Sequence, residues 1–327
     1  MRREASRSSP TNDSVLSESG EQLTTPKIIM GENLTVGTTR RDHVDVDLAS
    51  ILRLKGSRTV SVCLPCRNEE ASVGRVVESL LPDGDARNLI DELIVIDDRS
   101  TDRSAERALA AGAKVVSIDE IENAHGPTVR PGAGKGNVLW SSLWCTTGDL
   151  VVWIDADVET VDVTWVARLV EPLLDDDGVG LVKASYHRPQ DAGGGGRTTE
   201  LVVRPLLSLL APGLSWLHQP LGGEVAVRRT MIEQLPIAQG WGVEIGMLLD
   251  VVERFGPAAI VQVDLGERRH RHHDLLDLRV QAAEVAATIL RRTGVDIGEL
   301  PQLLIPDGPA VDLNLADRPP VASLRHG

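Results

Sequence analysis

The segment VVWIDADVE, residues 151–159, is an apolar run that ends in Asp155 and Asp157. On an extended strand alternate side chains share a face, so the two carboxylates are expected to point the same way at the end of a buried segment. Hard carboxylate oxygens at this spacing suit Mg²⁺ or Mn²⁺, which keep open positions for diphosphate oxygens rather than accepting a full protein cage. The pair closes a strand–helix–strand–helix pattern that begins at residue 59. That placement favours a nucleotide-diphosphate site over a solvent-facing acidic strand end.

Four further constellations could do chemistry. LPCRNEE (64–70) ends a strand in proline and places acidic residues where they would cap the next helix. Pro131-Gly-Ala-Gly134-Lys135-Gly136-Asn137 delivers a lysine at a helix start, although its spacing is not that of a P-loop. Gly193 to Gly196 leads into Arg197-Thr198-Thr199-Glu200, where helix N–H groups, two hydroxyls and a guanidinium suit a small anionic acceptor. The run Arg268 to His273 is basic, and an imidazole there could complete a hard-metal site begun by Asp157.

The elements that must position these groups read as a mostly parallel α/β sheet. Strands are expected at 59–65, 92–98, 113–118 and 149–155, with helices at 71–81, 102–111 and 135–145 and a loop through 134. The polar groups follow the strand ends, where open α/β sheets bind ligands. Farther on, strands are expected at 179–185, 223–228 and 259–264, and helices at 199–210, 240–256 and 275–292. Four regions result: an N-terminal arm (1–45), a nucleotide-binding part (46–135), a metal- and acceptor-binding part of the same domain (136–273), and a C-terminal helix with a loosely held tail (274–327).

Composition narrows the class. The chain has 327 residues, 42% hydrophobic, enough for an enzyme-sized core. A formal net charge of -14 speaks against nucleic acid as a partner. Three cysteines in apolar contexts suggest a reducing cytoplasm, and Cys63 and Cys66 lack the second ligand pair a zinc site needs. No apolar N-terminal h-region and no spanning segment is visible; the most apolar long window, 201–217, is broken by Arg204, Pro205 and Pro212.

Taken in order, LPCRNEE, VIDDRSTD, the lysine loop, IDAD, RTTELVVRPLL, QPLGGE, GWGVEIG and the basic run from Arg268 resemble the actinobacterial glucosyl-3-phosphoglycerate synthases over residues 58–295. The resemblance implies a GT-A glycosyltransferase fold and retaining transfer of glucose from UDP-glucose to the 2-hydroxyl of 3-phosphoglycerate. It also implies Mg²⁺ or Mn²⁺ as cofactor and a homodimer. Carried over, it puts Pro65, Cys66, Arg67, Glu69, Asp98 and Lys135 on the donor, with Asp155 and Ala156 beside its ribose and diphosphate. Asp157 and His270 become the metal ligands. Gly196, Arg197, Thr198, Thr199, Arg268 and His272 match the acceptor positions. Glu244 matches a carboxylate at the donor sugar, and the Leu221 backbone lies near the anomeric centre. The chain departs from the family pattern at Arg67, Asp98, Trp241 and His272, where the pattern has leucine, serine, tyrosine and asparagine. The changes at Arg67 and Asp98 leave GDP-mannose open as the donor. The first-half motifs also leave open a polyprenyl-phosphate acceptor or catalytically silent nucleotide-sugar binding.

Overall fold

In a computed structural model, which describes residues 40–41, 47–81, 83–188, 196–269, 276, 278–298 and 302–325, the apolar runs form the middle of one sheet. Its strands, in chain order, are Arg40–Arg41 (β1), Val60–Cys66 (β2), Glu92–Asp97 (β3), Lys114–Ser117 (β4), Leu150–Trp153 (β5), Leu181–His187 (β6), Val225–Arg228 (β7) and Ile260–Glu267 (β8). Across the sheet they run β1-β8-β6-β7-β5-β2-β3-β4. Only β7 is antiparallel to its neighbours β5 and β6. The arrangement is the mostly parallel sheet of the GT-A fold. His270 and His272 and nearly all of the expected N-terminal arm lie outside the described residues.

Period-two alternation divides the core between the two faces of the sheet. On β5, Val151 and Trp153 join one apolar cluster, while Leu150 and Val152 join the other. The first face is covered by Ile118–His125 (α4), Lys135–Cys145 (α5), Val243–Phe255 (α8) and Leu278–Arg292 (α9). The second is covered by Leu48–Lys55 (α1), Val73–Leu80 (α2), Ser104–Ala110 (α3) and Val163–Asp175 (α6). Cys63 packs on the first face and Cys66 on the second, so the pair cannot share a metal or a disulfide. Among the described residues, no helix is long and apolar enough to cross a membrane.

Three expectations change. α4 occupies part of the expected loop through 134; its start is a capping box in which Ser117 and Glu120 satisfy each other's backbone N–H groups. α6 was not expected at all. Asp162 caps it by accepting from Thr164 N at 2.8 Å, and it tolerates Pro172 in its interior. The tail is not loosely held. Asp317–Arg318 pairs antiparallel with Ile237–Ala238, Trp140 Nε1 donates to Pro319 O at 2.8 Å, and the Arg318 guanidinium lies over the Trp140 ring at 4.6 Å while donating to Asn137. Asn314 Nδ2 donates to Ala133 O at 2.8 Å, so the tail braces the lysine loop.

Candidate active site

The carboxyl ends of β2, β3 and β5 open onto one cavity of about 550 Å³, within the size range of small-molecule sites. It brings together every site residue named from the sequence that the structure describes. From the strand ends come Pro65, Cys66, Arg67, Glu69, Asp98, Asp155, Ala156 and Asp157. Helix starts contribute Lys135, Glu244, Gly196, Arg197, Thr198 and Thr199, and Leu221 and Arg268 line the wall as well.

Asp155 and Asp157 are not strand residues, because β5 ends at Trp153. Their convergence comes from a turn and from Arg268, whose Nη2 stands 3.0 Å from Asp155 Oδ2 and 3.7 Å from Asp157 Oδ1. The two carboxyls differ sharply in their surroundings. Burial works against ionised Asp155, but Lys135 and Arg268 overcome it and hold its pKa down at about 2. Burial, followed by the charge of Asp155, pushes Asp157 up to about 6. Asp157 Oδ1 is buried and accepts no hydrogen bond among the described residues, so a hard-oxygen ligand stands in the site with a charge to be met. That fits a divalent cation. Among the described residues no group of three or more His, Cys, Asp or Glu stands at metal-holding distances; the other expected ligand, His270, lies outside them.

Lys135 caps the floor of the site. Its ammonium sits 2.6 Å from Asp155 Oδ1 and 2.8 Å from Glu244 Oε1. Burial disfavours its charge, yet the two carboxylates raise its pKa, so it stays a cation. The loop can bring it there because Gly136 at the start of α5 lies against Ala238, where a side chain has no room.

At the other end, Arg67 Nη1 reaches Asp98 Oδ2 at 3.3 Å, with the Asp98 side chain 7% exposed and the Arg67 side chain 63%. Burial raises the Asp98 pKa against the pull of Arg67 and Arg99. Asn68 and Arg99, which follow β2 and β3, have φ of 58° and 55°, a left-handed conformation that bulky side chains rarely adopt. Interlocking bonds hold Asn68 there: its N–H donates to Ser100 Oγ at 3.0 Å, and its Oδ1 accepts from Thr101 N at 2.8 Å. Thr198 and Thr199, 7% and 3% exposed, open the helix that continues as Arg204–Leu210 (α7), and the Thr198 hydroxyl lies 3.4 Å from Gln281 Oε1.

Sequence reasoning passed over Tyr186, Arg188, Glu224 and Lys183. Tyr186 and Arg188 line the cavity, and Arg188 and Arg268 both lie over the Tyr186 ring, at 5.2 and 5.4 Å. Tyr186 is the sole tyrosine of the chain and closes an apolar strand, a signal that was legible. Glu224, fully buried, accepts from Arg268 Nε at 2.9 Å.

Comparison with known proteins places these features in a family. Residues 61–230 match the family model described as glycosyl transferase family 2. A glucosyl-3-phosphoglycerate synthase of Mycolicibacterium smegmatis is 48% identical over 290 residues, covering 85% of this chain and 94% of that protein. A crystal structure of the Mycobacterium tuberculosis glucosyl-3-phosphoglycerate synthase, in complex with Mn²⁺, UDP-glucose and phosphoglyceric acid, superposes with a TM-score of 0.78. It is 42% identical and covers 88% of this chain and 99% of that one. The same enzyme has been solved with Mg²⁺ and UDP, again at a TM-score of 0.78, 42% identity and coverage of 88% and 99%. With a family model spanning more than half of the chain and a close relative matched over nearly its whole length, this chain belongs to glycosyl transferase family 2 and, within it, to the glucosyl-3-phosphoglycerate synthases.

Proposed function

We propose that the protein transfers glucose from UDP-glucose to the 2-hydroxyl of 3-phosphoglycerate with retention of configuration, giving glucosyl-3-phosphoglycerate and UDP. The observation that carries this reading is the single cavity in which the strand-end residues, the paired carboxylates and the Gly196–Thr199 helix start meet. A donor and an anionic acceptor bound there would share one reaction space.

In this reading Pro65, Cys66, Arg67, Glu69 and Asp98 hold the nucleoside, and Asp155 and Ala156 border the ribose and diphosphate. Asp157 and His270 hold Mg²⁺ or Mn²⁺, which when bound neutralises charge on the leaving diphosphate. Lys135, a permanent cation at the same spot, adds to that neutralisation as the glycosidic bond loosens. Gly196, Arg197, Thr198 and Thr199 receive the acceptor through helix N–H groups, hydroxyls and a guanidinium. Arg268 and His272 join them, Glu244 faces the donor sugar, and the Leu221 backbone borders the anomeric centre. The cytoplasm and a homodimer belong to the same proposal. Sedimentation velocity that shows only monomer would remove the dimer from it.

The test incubates purified protein and Mg²⁺ with 3-phosphoglycerate and either UDP-glucose or GDP-mannose, following nucleotide diphosphate release and product mass. UDP release with a glucosylated phosphoglycerate is expected. Turnover only with GDP-mannose overturns the donor, and turnover with neither overturns the acceptor. Arg197→Ala should then raise the KM for 3-phosphoglycerate about 10- to 100-fold, the worth of a charge-assisted hydrogen bond, with the UDP-glucose KM nearly unchanged. Equal losses for both substrates would reduce the helix start to a structural element.

A further inference from the structure

Lys183 is a buried cation that none of the roles above employs. It stands in the middle of β6 between Val182 and Ala184 and is 1% exposed. Its ammonium donates to the carbonyl of Gly222, while the side chain itself does not line the cavity. Gln262, its cross-strand partner on β8, is likewise fully buried, and its Oε1 accepts from His218 N at 2.7 Å. Two polar side chains rising from adjacent strands thus grip the 218–222 segment at both ends. Between them Gly222 N closes a turn onto Gln219 O at 3.0 Å.

The other side of this strap is the cavity wall, formed by Leu221, Gly222 and Gly223. It has no slack there. A Cβ on Gly222 would stand 2.6 Å from the Tyr186 hydroxyl, and one on Gly223 would collide with the Asp155 carboxylate.

Charge alone does not fix where the Lys183 ammonium points, because the carboxylates around it have closer partners. Glu244 already has Lys135 at 2.8 Å, and Glu224 has Arg268 at 2.9 Å. Taking an ammonium out of water is costly. Burial accordingly pushes the Lys183 pKa down to about 8, with Glu244 and Glu224 resisting. A methionine of similar length would fill the same space and shed the desolvation cost, but it would leave the Gly222 carbonyl unpaired, so what the lysine adds beyond its charge is its bond to that carbonyl.

We propose that Lys183 is a positioning residue for glycosyl transfer: by turning the Gly222 carbonyl toward the sheet, it fixes the Leu221–Gly223 peptides beside Asp155 at the transfer centre. This rests on the glycosyltransferase reading above. Lys183 acts through the strap and touches neither substrate, so its removal disturbs the geometry of the transition state more than the affinity for either ground-state ligand.

The experiment compares wild-type protein with Lys183→Met in steady-state transfer from UDP-glucose to 3-phosphoglycerate, and records thermal midpoints of both. The expected result is a kcat lowered about 30-fold, both KM values within about 3-fold of wild type, and a thermal midpoint lowered by no more than a few degrees, because the ammonium's relieved desolvation offsets much of the cost of the unpaired Gly222 carbonyl. An unchanged kcat overturns the proposal. So does a midpoint lowered by more than about 10 °C or an insoluble variant, which would make Lys183 a structural residue, and so does a KM that rises in step with the loss of kcat. Absence of turnover in the wild type would instead overturn the functional reading, and this inference with it.

Discussion

Asp157→Ala is expected to lower metal-dependent transfer by about 10³-fold or more while leaving the protein folded. The expectation follows from the contrast between the two carboxylates. Asp155 is locked by Lys135 at 2.6 Å and Arg268 at 3.0 Å and is a structural anion. Among the described residues Asp157 has the Arg268 guanidinium at 3.7 Å as its counter-charge, and its buried Oδ1 accepts no hydrogen bond from them. Its pKa in the folded protein, about 6, lies above the ordinary value of 3.8. A group shifted upward stabilises the fold below its unfolded pKa and loses that contribution as the pH rises through the folded one. At neutral pH, with no cation added, ionised Asp157 is therefore a burden on stability, and alanine should hold or raise the thermal midpoint. The variant should also fail to withdraw Mn²⁺ from solution in the presence of UDP, read as the electron paramagnetic resonance signal of free Mn²⁺. Wild-type turnover and Mn²⁺ uptake in Asp157→Ala would place the cation elsewhere.

Much of this site was legible because parallel strands advertise themselves. The apolar runs of β2, β3 and β5 need no partner to be recognised, and the residues that end them must lie at the ligand-binding edge of the sheet. Lys135 was legible for a similar local reason, as a glycine loop feeding a helix. The D-x-D falls in the cavity, but not with the geometry expected of a strand. The strand stops at Trp153, and the two carboxylates converge through Arg268, more than a hundred positions away in the chain. Long-range partners explain the other omissions. The tail is held by Trp140 and Asn137, 179 and 181 positions from Pro319 and Arg318, which no local pattern encodes. α6 carries Val, Thr, Trp and an internal Pro172, so its helical character comes from Asp162 at its start and from burial rather than from propensity. α4 is different: Ser117 and Glu120 spelled out its capping box, and the surrounding glycines and prolines obscured it. Lys183 was visible as a charge inside an apolar strand, but its purpose depends on a loop forty residues on.

Arg268→Met should cost about 3–5 kcal/mol of folding stability, the usual consequence of stripping one partner from a buried ion pair. Arg268 is 3% exposed and Glu224 fully buried. The guanidinium meets Glu224 Oε1 at 2.9 Å and Asp155 Oδ2 at 3.0 Å and lies over the Tyr186 ring. Among the described residues Glu224 Oε2 already has no hydrogen-bond partner. Without Arg268 the carboxylate would be left in the interior with Lys183, which is occupied by Gly222, as the remaining nearby cation. Urea denaturation would measure the loss. The double variant Arg268→Met, Glu224→Gln removes both charges and should recover about 2 kcal/mol or more of it, a coupling that independent sites would not give. Both variants should nevertheless be poor enzymes, because Arg268 also draws Asp155 and Asp157 toward one another, and stability regained through Glu224 does nothing to restore that convergence. A single variant within about 1 kcal/mol of wild type, or a double variant no more stable than the single one, would mean that the Arg268–Glu224 pair is not what holds this wall of the site.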